Sequence, residues 1–171
     1  MERCEECGFD YDELPEAQIG RALRLLPAPY GTVLGLDPER LRAHPTPGMW
    51  SALEYACHVR DIFVVQLERV QLALKEDEPT FAPMGREARV VDDHYNEQDP
   101  IVVAQELATA ARALAAVFES LRPDELARTG IYNYPAPQPR TVAWIGRHTV
   151  HEGRHHLADI EHVLDAVDRE E

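Results

Sequence analysis

The sequence lacks most of the features that mark secreted, membrane-spanning or nucleic-acid-binding proteins. Its three cysteines are an odd number, which provides no disulfide framework and is typical of a reducing compartment. With 17 Lys and Arg against 31 Asp and Glu, the net charge of −14 argues against nucleic acid or an anionic membrane as the partner. No apolar run approaches the roughly 18 residues of a membrane span, and no signal peptide is recognisable. These absences predict a soluble cytoplasmic protein.

Strand patterns and internal repeats are also absent, and helical periodicity takes their place. No stretch alternates polar and apolar residues as a half-buried strand does. Ser51 and Glu54 form a capping-box pattern at the start of the second long helix. The predicted long helices span approximately residues 15–36, 51–75, 99–122 and 141–164. Four long helices without a sheet predict an all-α fold, a four-helix bundle, whose sites are built from inward side chains of facing helices.

Two polar stretches are interpreted as connections between these helices. Residues 76–97 are long enough for an excursion over one end of the bundle, and we expect them to form a wall or lid of a site. Residues 131–139 contain Pro135, Pro137 and Pro139 and are interpreted as a second, irregular connection. The sequence thus predicts a single bundle domain over residues 15–171.

Residues 1–14 are interpreted as an N-terminal tail that carries a Cys-x-x-Cys-Gly turn with Cys4 and Cys7. Such a turn is half of a zinc knuckle, but a second Cys-x-x-Cys is missing. Three interpretations remain open: a pair of terminal thiols, a redox pair, and a structural zinc site that takes two ligands from elsewhere. We expect the two cysteines to lie outside the bundle core and to be dispensable for a metal held by the last helix.

The last helix contains five of the eight histidines of the chain and a glutamate among them. At about 100° per residue, Glu152 and His156 lie one turn apart on a face that is not exposed. Such a pair is either a structural hydrogen bond or two ligands of one cation. In a bundle, His58 on the inner face of helix two can supply the third ligand. The rival set is His151 and His155 with His58, which has the same spacing.

Two motifs then indicate a family. The stretch from Trp50 to His58 resembles the W-S-x-x-E-x-x-x-H start of helix two in the DinB/YfiT-like superfamily. The stretch from Thr141 to Ile160 is similar to the last-helix signature of that superfamily. The resemblance implies a DinB/YfiT-like four-helix bundle, often dimeric, with one divalent metal held by three side chains.

Carried over to this chain, the resemblance places the metal ligands at His58, Glu152 and His156. The Glu-x3-His-x2-Asp pattern ending at Asp159 is similar to the mycothiol-dependent maleylpyruvate isomerase branch, although Asp159 replaces the usual Gln. His148 is a further candidate, as a partner of these ligands or a substitute for one. Zn²⁺ is the expected metal, and Ni²⁺, Mn²⁺ or Fe²⁺ also suits a mixed nitrogen and oxygen donor set.

The resemblance implies a metal-dependent enzyme that acts on a small molecule through a metal-activated thiol or water. A transferase, an isomerase or a hydrolase fits this description, with mycothiol or bacillithiol as the type of low-molecular-weight thiol. The alternative is a non-catalytic binding module, in which the metal or its pocket holds a small ligand. A homodimer is among the expectations that the family carries.

Overall fold

Helices account for most of residues 2–170, the part of the chain that the computed structural model describes. In chain order the elements are α1 (Ile19–Leu25), α2 (Pro27–Val33), α3 (Pro38–Arg42), α4 (Ala52–Lys75), α5 (Arg86–Asp92), α6 (Pro100–Ser120), α7 (Pro123–Leu126), β1 (Thr129–Tyr132), β2 (Gln138–Thr141) and α8 (Val142–Glu170). Single turns of 3-10 helix lie at Glu16–Gln18 and Tyr95–Glu97.

The predicted all-α four-helix bundle is confirmed. Its long members are α4, α6 and α8, and α1 with its continuation α2 forms the fourth. α6 and α8 each pack against both α1 and α4. The first predicted helix is divided at Leu26, where Pro27 begins α2. The largest side chains sealed in the core include Tyr30, Phe63, Leu53, Leu107, Leu114, Ile145 and Ile160.

The helix starts follow the local signals in the sequence. At the start of α4 the Ser51 hydroxyl accepts a hydrogen bond from the Glu54 amide at 3.2 Å, and the Glu54 carboxylate accepts one from the Ser51 amide at 2.7 Å. The predicted capping box is therefore formed. At the start of α6 the Asp99 carboxylate accepts from the Ile101 amide at 2.8 Å, and Pro100 occupies the first helical position.

Two glycines in α8 allow the first helix to approach it closely. A Cβ at Gly146 would lie 2.6 Å from both Ile19 and the Phe118 ring, and one at Gly153 would lie 2.7 Å from Leu26. The absence of a side chain at these positions brings the backbones together, which offsets the poor helix propensity of glycine, about 1 kcal/mol per residue.

The structure corrects the prediction that the fold has no sheet. β1 and β2 form an antiparallel hairpin, with Thr129 opposite Thr141 and Tyr132 opposite Gln138. Residues 79–81 run beside β1, where the Phe81 amide donates to the Ile131 carbonyl at 3.0 Å. The prolines of this stretch hid the hairpin, because Pro139 within β2 argues against a strand unless the strand lies at an edge.

The first segment of the chain lies against α8 instead of extending away from the bundle. Arg3 and Asp10 form an isolated antiparallel bridge, and Phe9 and Tyr11 are buried in the hydrophobic core. The Trp144 indole donates to the carboxylate of Glu2 at 2.8 Å. Residues 2–14 are thus packed as part of the bundle surface, and their separation from a domain over residues 15–171 stays a prediction.

α6 is long and apolar enough to cross a membrane, judged by length and composition only. One face of it, including Leu107, Leu114 and Phe118, is buried against the other helices of the bundle, whereas Ile101 and Val102 near its start are exposed. A core helix of a bundle passes the same test, so this helix is weak support for a membrane protein.

Candidate metal centre

His58 lies on α4 with its ring turned into the bundle. The residue is only 3 % exposed, and its Nδ1 is buried without a hydrogen-bond partner. Burial of a polar atom without a partner is unfavourable, by about 1–3 kcal/mol in mutational data. The packing of α4 against α8 turns this ring toward α8.

Glu152 and His156 lie one turn apart on α8 and face His58. Ring centroids of His58 and His156 are 5.0 Å apart, and the Nε2 atom of His156 lies 3.4 Å from a carboxylate oxygen of Glu152. One ligand atom of each of the three residues lies within 4.8 Å of the others. The structure therefore brings together the three side chains that the sequence singled out, and two imidazoles with a carboxylate are an ordinary donor set for Zn²⁺.

Asp159 has a clear position that the sequence did not reveal. Its carboxylate accepts a hydrogen bond from Nδ1 of His156 at 2.8 Å. A proton held on Nδ1 leaves Nε2, the atom beside Glu152, as the nitrogen with a free lone pair. Carboxylates behind ligand histidines hold the ring in this way in many metal sites. The signals in the sequence were the three-residue spacing on one helix and the Glu-x3-His-x2-Asp pattern that ends at this residue.

The charges of this cluster differ from those of free side chains. Burial and the neighbouring His156 together lower the pKa of His58 to about 3, so His58 is neutral and able to bind metal. Burial also opposes the charge of His156, but hydrogen bonds to Asp159 and Glu152 outweigh it and raise its pKa to about 9. A metal must therefore displace a proton from His156. The pKa of Glu152 is lowered, because bonds from His151 and His156 outweigh the effect of burial.

A cavity of about 310 Å³ opens beside His58 and Glu152. Its walls come from α4, from residues 83–86, from the hairpin at residues 132–134, and from His148 on α8. Residues 83–86 belong to the excursion over residues 76–97, which we expected to form a wall. A volume of this size suits a small molecule, since ligand cavities typically begin at about 300 Å³.

The rival set of ligands is not assembled in the part of the chain that the structure describes. His151 and His155 lie away from His58 and gather with Cys4 and Cys7. His148 stands behind the first cluster: its Nε2 lies 3.8 Å from Glu152, and its ring stacks on Trp144 at 4.6 Å.

A sequence model of the DinB superfamily matches residues 30–160 of this chain. The chain belongs to the DinB superfamily. The matched span includes His58, Glu152 and His156, and it leaves out the cysteines at positions 4 and 7. The resemblance to a DinB/YfiT-like family is thereby confirmed.

Two solved structures are similar to this DinB-superfamily protein. One is YfiT from Bacillus subtilis, described as a probable metal-dependent hydrolase with an unusual four-helix bundle topology. It shares 18% identity, with 95% of this chain and 91% of that one covered and a TM-score of 0.79. The other is the mycothiol-dependent maleylpyruvate isomerase, with 14% identity, 89% of this chain and 63% of that one covered, and a TM-score of 0.70.

At these identities the similarity shows the fold alone, and this chain spans less than two thirds of the isomerase. No curated protein sequence matches the chain.

Proposed function

We propose that this DinB-superfamily protein is a metal-dependent enzyme that acts on a small molecule, with a low-molecular-weight thiol or water as the nucleophile. One divalent cation would be held by His58, Glu152 and His156. The observation that carries the proposal is the convergence of these three donors, two of which, His58 and Glu152, line a cavity.

The donor set fits the metal. Zn²⁺ is our proposed occupant, and Ni²⁺, Mn²⁺ or Fe²⁺ would also suit two imidazoles and a carboxylate. With three protein ligands such a cation keeps an open position, where it lowers the pKa of a bound thiol or water and so supplies a nucleophile at neutral pH.

The residues of the chain have separate roles around this position. Burial keeps His58 neutral, and Asp159 holds the Nδ1 proton of His156 so that Nε2 faces Glu152. Arg69 and Arg86 line the cavity and supply positive charge for an anionic group of a substrate. The Arg69 guanidinium lies over the Tyr132 ring at 4.7 Å from its centroid, which holds it at the cavity wall.

The test begins with the metal content of the purified protein and of the His58→Ala variant. We expect the variant to lose the metal of this site. The matched control is His162→Ala, which removes an exposed histidine from the same helix and should leave the content unchanged. If His58→Ala retains the full metal content, this site assignment is wrong.

Activity is measured with two reporters on the same proteins. Conjugation of chlorodinitrobenzene in the presence of mycothiol tests the thiol reaction, and cleavage of p-nitrophenyl acetate tests the hydrolytic one. Turnover that His58→Ala abolishes and His162→Ala preserves supports the enzyme. Metal binding without turnover of mycothiol, bacillithiol or ester substrates favours the alternative, a non-catalytic binding module.

We also propose a cytoplasmic location and small-molecule partners, with neither nucleic acid nor a membrane surface as a partner. The net charge of −14 and three free thiols, at Cys4, Cys7 and Cys57, support this proposal. A homodimer remains a prediction, which the molecular mass in solution tests.

A further inference from the structure

A second group of candidate metal ligands lies beside α8. Each of its two histidines directly precedes a ligand of the first group in the sequence. One ligand atom from each of Cys4, Cys7, His151 and His155 lies within 4.8 Å of the others. We call this group the cysteine–histidine cluster, and the group of His58, Glu152 and His156 the cavity cluster. The two cysteines come from the first turn of the chain and the two histidines from adjacent turns of α8.

The turn that carries the cysteines is tightly built. The Cys4 amide donates to the Phe9 carbonyl at 2.9 Å, and the Gly8 amide donates to the Cys4 carbonyl at 3.0 Å. Gly8 has a φ of +73°, a conformation that residues with a side chain rarely adopt. The Cys-x-x-Cys-Gly segment thus closes on itself and presents both sulfur atoms on one side. This is the half of a zinc knuckle that the sequence indicated.

The approach of Cys4 to His155 suits a tetrahedral ion. Zinc bonds of about 2.3 Å to sulfur and 2.0–2.1 Å to nitrogen place neighbouring ligand atoms roughly 3.3–3.8 Å apart. The Sγ atom of Cys4 lies 3.9 Å from Nδ1 of His155. A contraction of a few tenths of an ångström, or less, brings this pair to the spacing that zinc requires.

His151 points to a missing partner at this cluster. The residue is 8 % exposed, and its Nε2 is buried without a hydrogen-bond partner. Its other nitrogen, Nδ1, lies 3.1 Å from the Tyr11 hydroxyl and 3.1 Å from a carboxylate oxygen of Glu152. One side of the ring is therefore held by protein groups, while Nε2 on the other side is buried without a partner.

His155 has the complementary arrangement. Its Nδ1 faces Cys4, while Nε2 lies 3.3 Å from the carboxylate of Glu6 and 3.7 Å from that of Asp159. Each histidine of the cluster thus has a carboxylate behind the ring, on the side away from the cysteines. This is the usual support of a histidine that binds a metal.

We propose that Cys4, Cys7, His151 and His155 bind one Zn²⁺ in a closed, four-coordinate structural site that fastens the N-terminal segment to α8. Two thiols and two imidazoles are a common donor set for structural zinc, and thiolates select zinc over harder cations. On binding, the two thiols release their protons to solvent.

Two other groupings of α8 residues also have ligand atoms within 4.8 Å of one another. They are His148, His151 and Glu152, and His155, His156 and Asp159. Each comes from a single helix and reuses members of the two clusters. The proposed site is favoured because it takes ligands from two distant parts of the chain and completes four-fold coordination.

The fastening has a structural purpose. Phe9 and Tyr11 follow the cysteine turn and pack on α8, where the Tyr11 hydroxyl lies 2.8 Å from Nδ1 of His148. His148 in turn lines the cavity. A zinc ion at the cysteine–histidine cluster therefore stabilises the segment that holds this part of the cavity wall in place.

Cobalt binding distinguishes this site from the cavity cluster. Metal-free protein is titrated with Co²⁺ under reducing conditions, because a cobalt ion bound to thiolate shows a charge-transfer band in the near ultraviolet. We expect the band in the wild type and in His58→Ala, and its loss in the Cys4→Ser, Cys7→Ser double variant and in His155→Ala. Zinc analysis should show that the double variant loses one equivalent of two.

Cys57→Ala is the matched thiol control, since Cys57 is buried in the core and should not affect the band. Circular dichroism of each variant establishes that it is folded. The proposal is overturned if the wild type shows no thiolate band, if the double variant binds as much zinc as the wild type, or if Cys4 and Cys7 form a disulfide in the purified protein. These results leave the cavity-site assignment to its own test with His58→Ala.

Discussion

The two clusters share the helix α8 but present different kinds of metal site. Glu152 and His156 serve the cavity cluster, whereas His151 and His155 serve the cysteine–histidine cluster. The pairs have the same four-residue spacing and differ by one position, or about 100° around the helix. What lies opposite each pair decides its chemistry. The first pair faces α4, which adds one ligand, and a cavity, so its site has three ligands. The second pair faces a turn with two thiols, so its site has four.

The comparison shows that a histidine-rich helix does not define a site by itself. Ligand number and access come from the neighbouring element, and the same imidazole spacing suits an open centre or a closed one. The predictions that follow separate the two clusters, beginning with the largest expected effect.

Replacing Glu152 by Ala removes a ligand from the cavity cluster and none from the other. We expect the loss of the cavity metal while the thiolate band of cobalt persists, read by metal analysis and absorption of the same sample. Glu161→Ala, which removes an exposed glutamate from the same helix, should change neither. Loss of both signals in Glu152→Ala would show that the cysteine–histidine cluster also depends on this carboxylate, which lies 3.1 Å from Nδ1 of His151.

The rates at which the thiols react test which cysteines belong to the cysteine–histidine cluster. Burial raises the pKa of Cys57 to about 12, whereas the pKa of Cys4 is lowered, because a backbone hydrogen bond from Cys7 and the proximity of His151 outweigh the effect of burial. At pH 8 the buried thiol should react with iodoacetamide on the order of 10³-fold more slowly than Cys4, because the thiolate is the nucleophile. Peptide mass mapping over time measures the rates.

Added zinc should protect Cys4 and Cys7 and leave the slow reaction of Cys57 unchanged. Rapid labelling of Cys57 in the folded protein would contradict its burial. Equal labelling of Cys4 with and without zinc would argue against the closed site.

Low pH should destabilise the fold through the buried histidines that line the cavity. Burial lowers the pKa of His58 to about 3 and that of His148 to about 4. Below pH 6.5 the unfolded chain binds protons at both residues and the folded chain does not, so stability is lost as the pH falls toward these values. At about 1.4 kcal/mol per pKa unit, the loss in the metal-free protein is on the order of a few kcal/mol.

The contribution of His156 to the pH dependence of stability has the opposite sign. Its pKa is raised to about 9, so its contribution to stability is complete below pH 6.5 and is lost as the pH rises through 9. Urea unfolding of the metal-free protein from pH 4 to pH 9 should show maximal stability near pH 6.5. His148→Asn should flatten the acid side. Constant stability between pH 6.5 and pH 4 in the wild type would contradict the buried neutral histidines.

The smallest expected effect concerns the support of one ligand. Asp159→Asn keeps the size of the side chain and removes the charge behind His156. We expect the zinc affinity of the cavity cluster to fall by about 10–100-fold, the usual result of losing such a partner. Competition with a fluorescent chelator measures it, and Asp165→Asn, on the exposed side of α8, is the control. An unchanged affinity would show that Asp159 does not position the ring.

The helices and the phase of α8 were predictable from the sequence because their signals are local. A capping box at Ser51 and Glu54 fixed the start of α4, and helical periodicity alone placed Glu152 and His156 on the same inner face. Family motifs pointed to the same three ligands.

The remaining features depend on contacts that no local pattern reports. Cys4 and His155 are 151 positions apart in the sequence, so their approach follows only from the packing of the first segment on α8. The hairpin was missed because its pairing with residues 79–81 is distant and its second strand contains Pro139. The close approach of α1 to α8 at Gly146 could likewise be recognised only from the positions of Ile19 and Phe118 in the structure.

Glu152 stands between the two clusters and touches both. One of its oxygens lies 3.1 Å from Nδ1 of His151, and the other lies 3.4 Å from Nε2 of His156. A cation at either cluster changes the charge that this carboxylate experiences, so we expect the two binding equilibria to be coupled. Thermodynamic reciprocity then requires that whatever factor the first ion imposes on the affinity for the second, the second imposes on the first. The order in which the protein acquires its ions would not change the total free energy of loading.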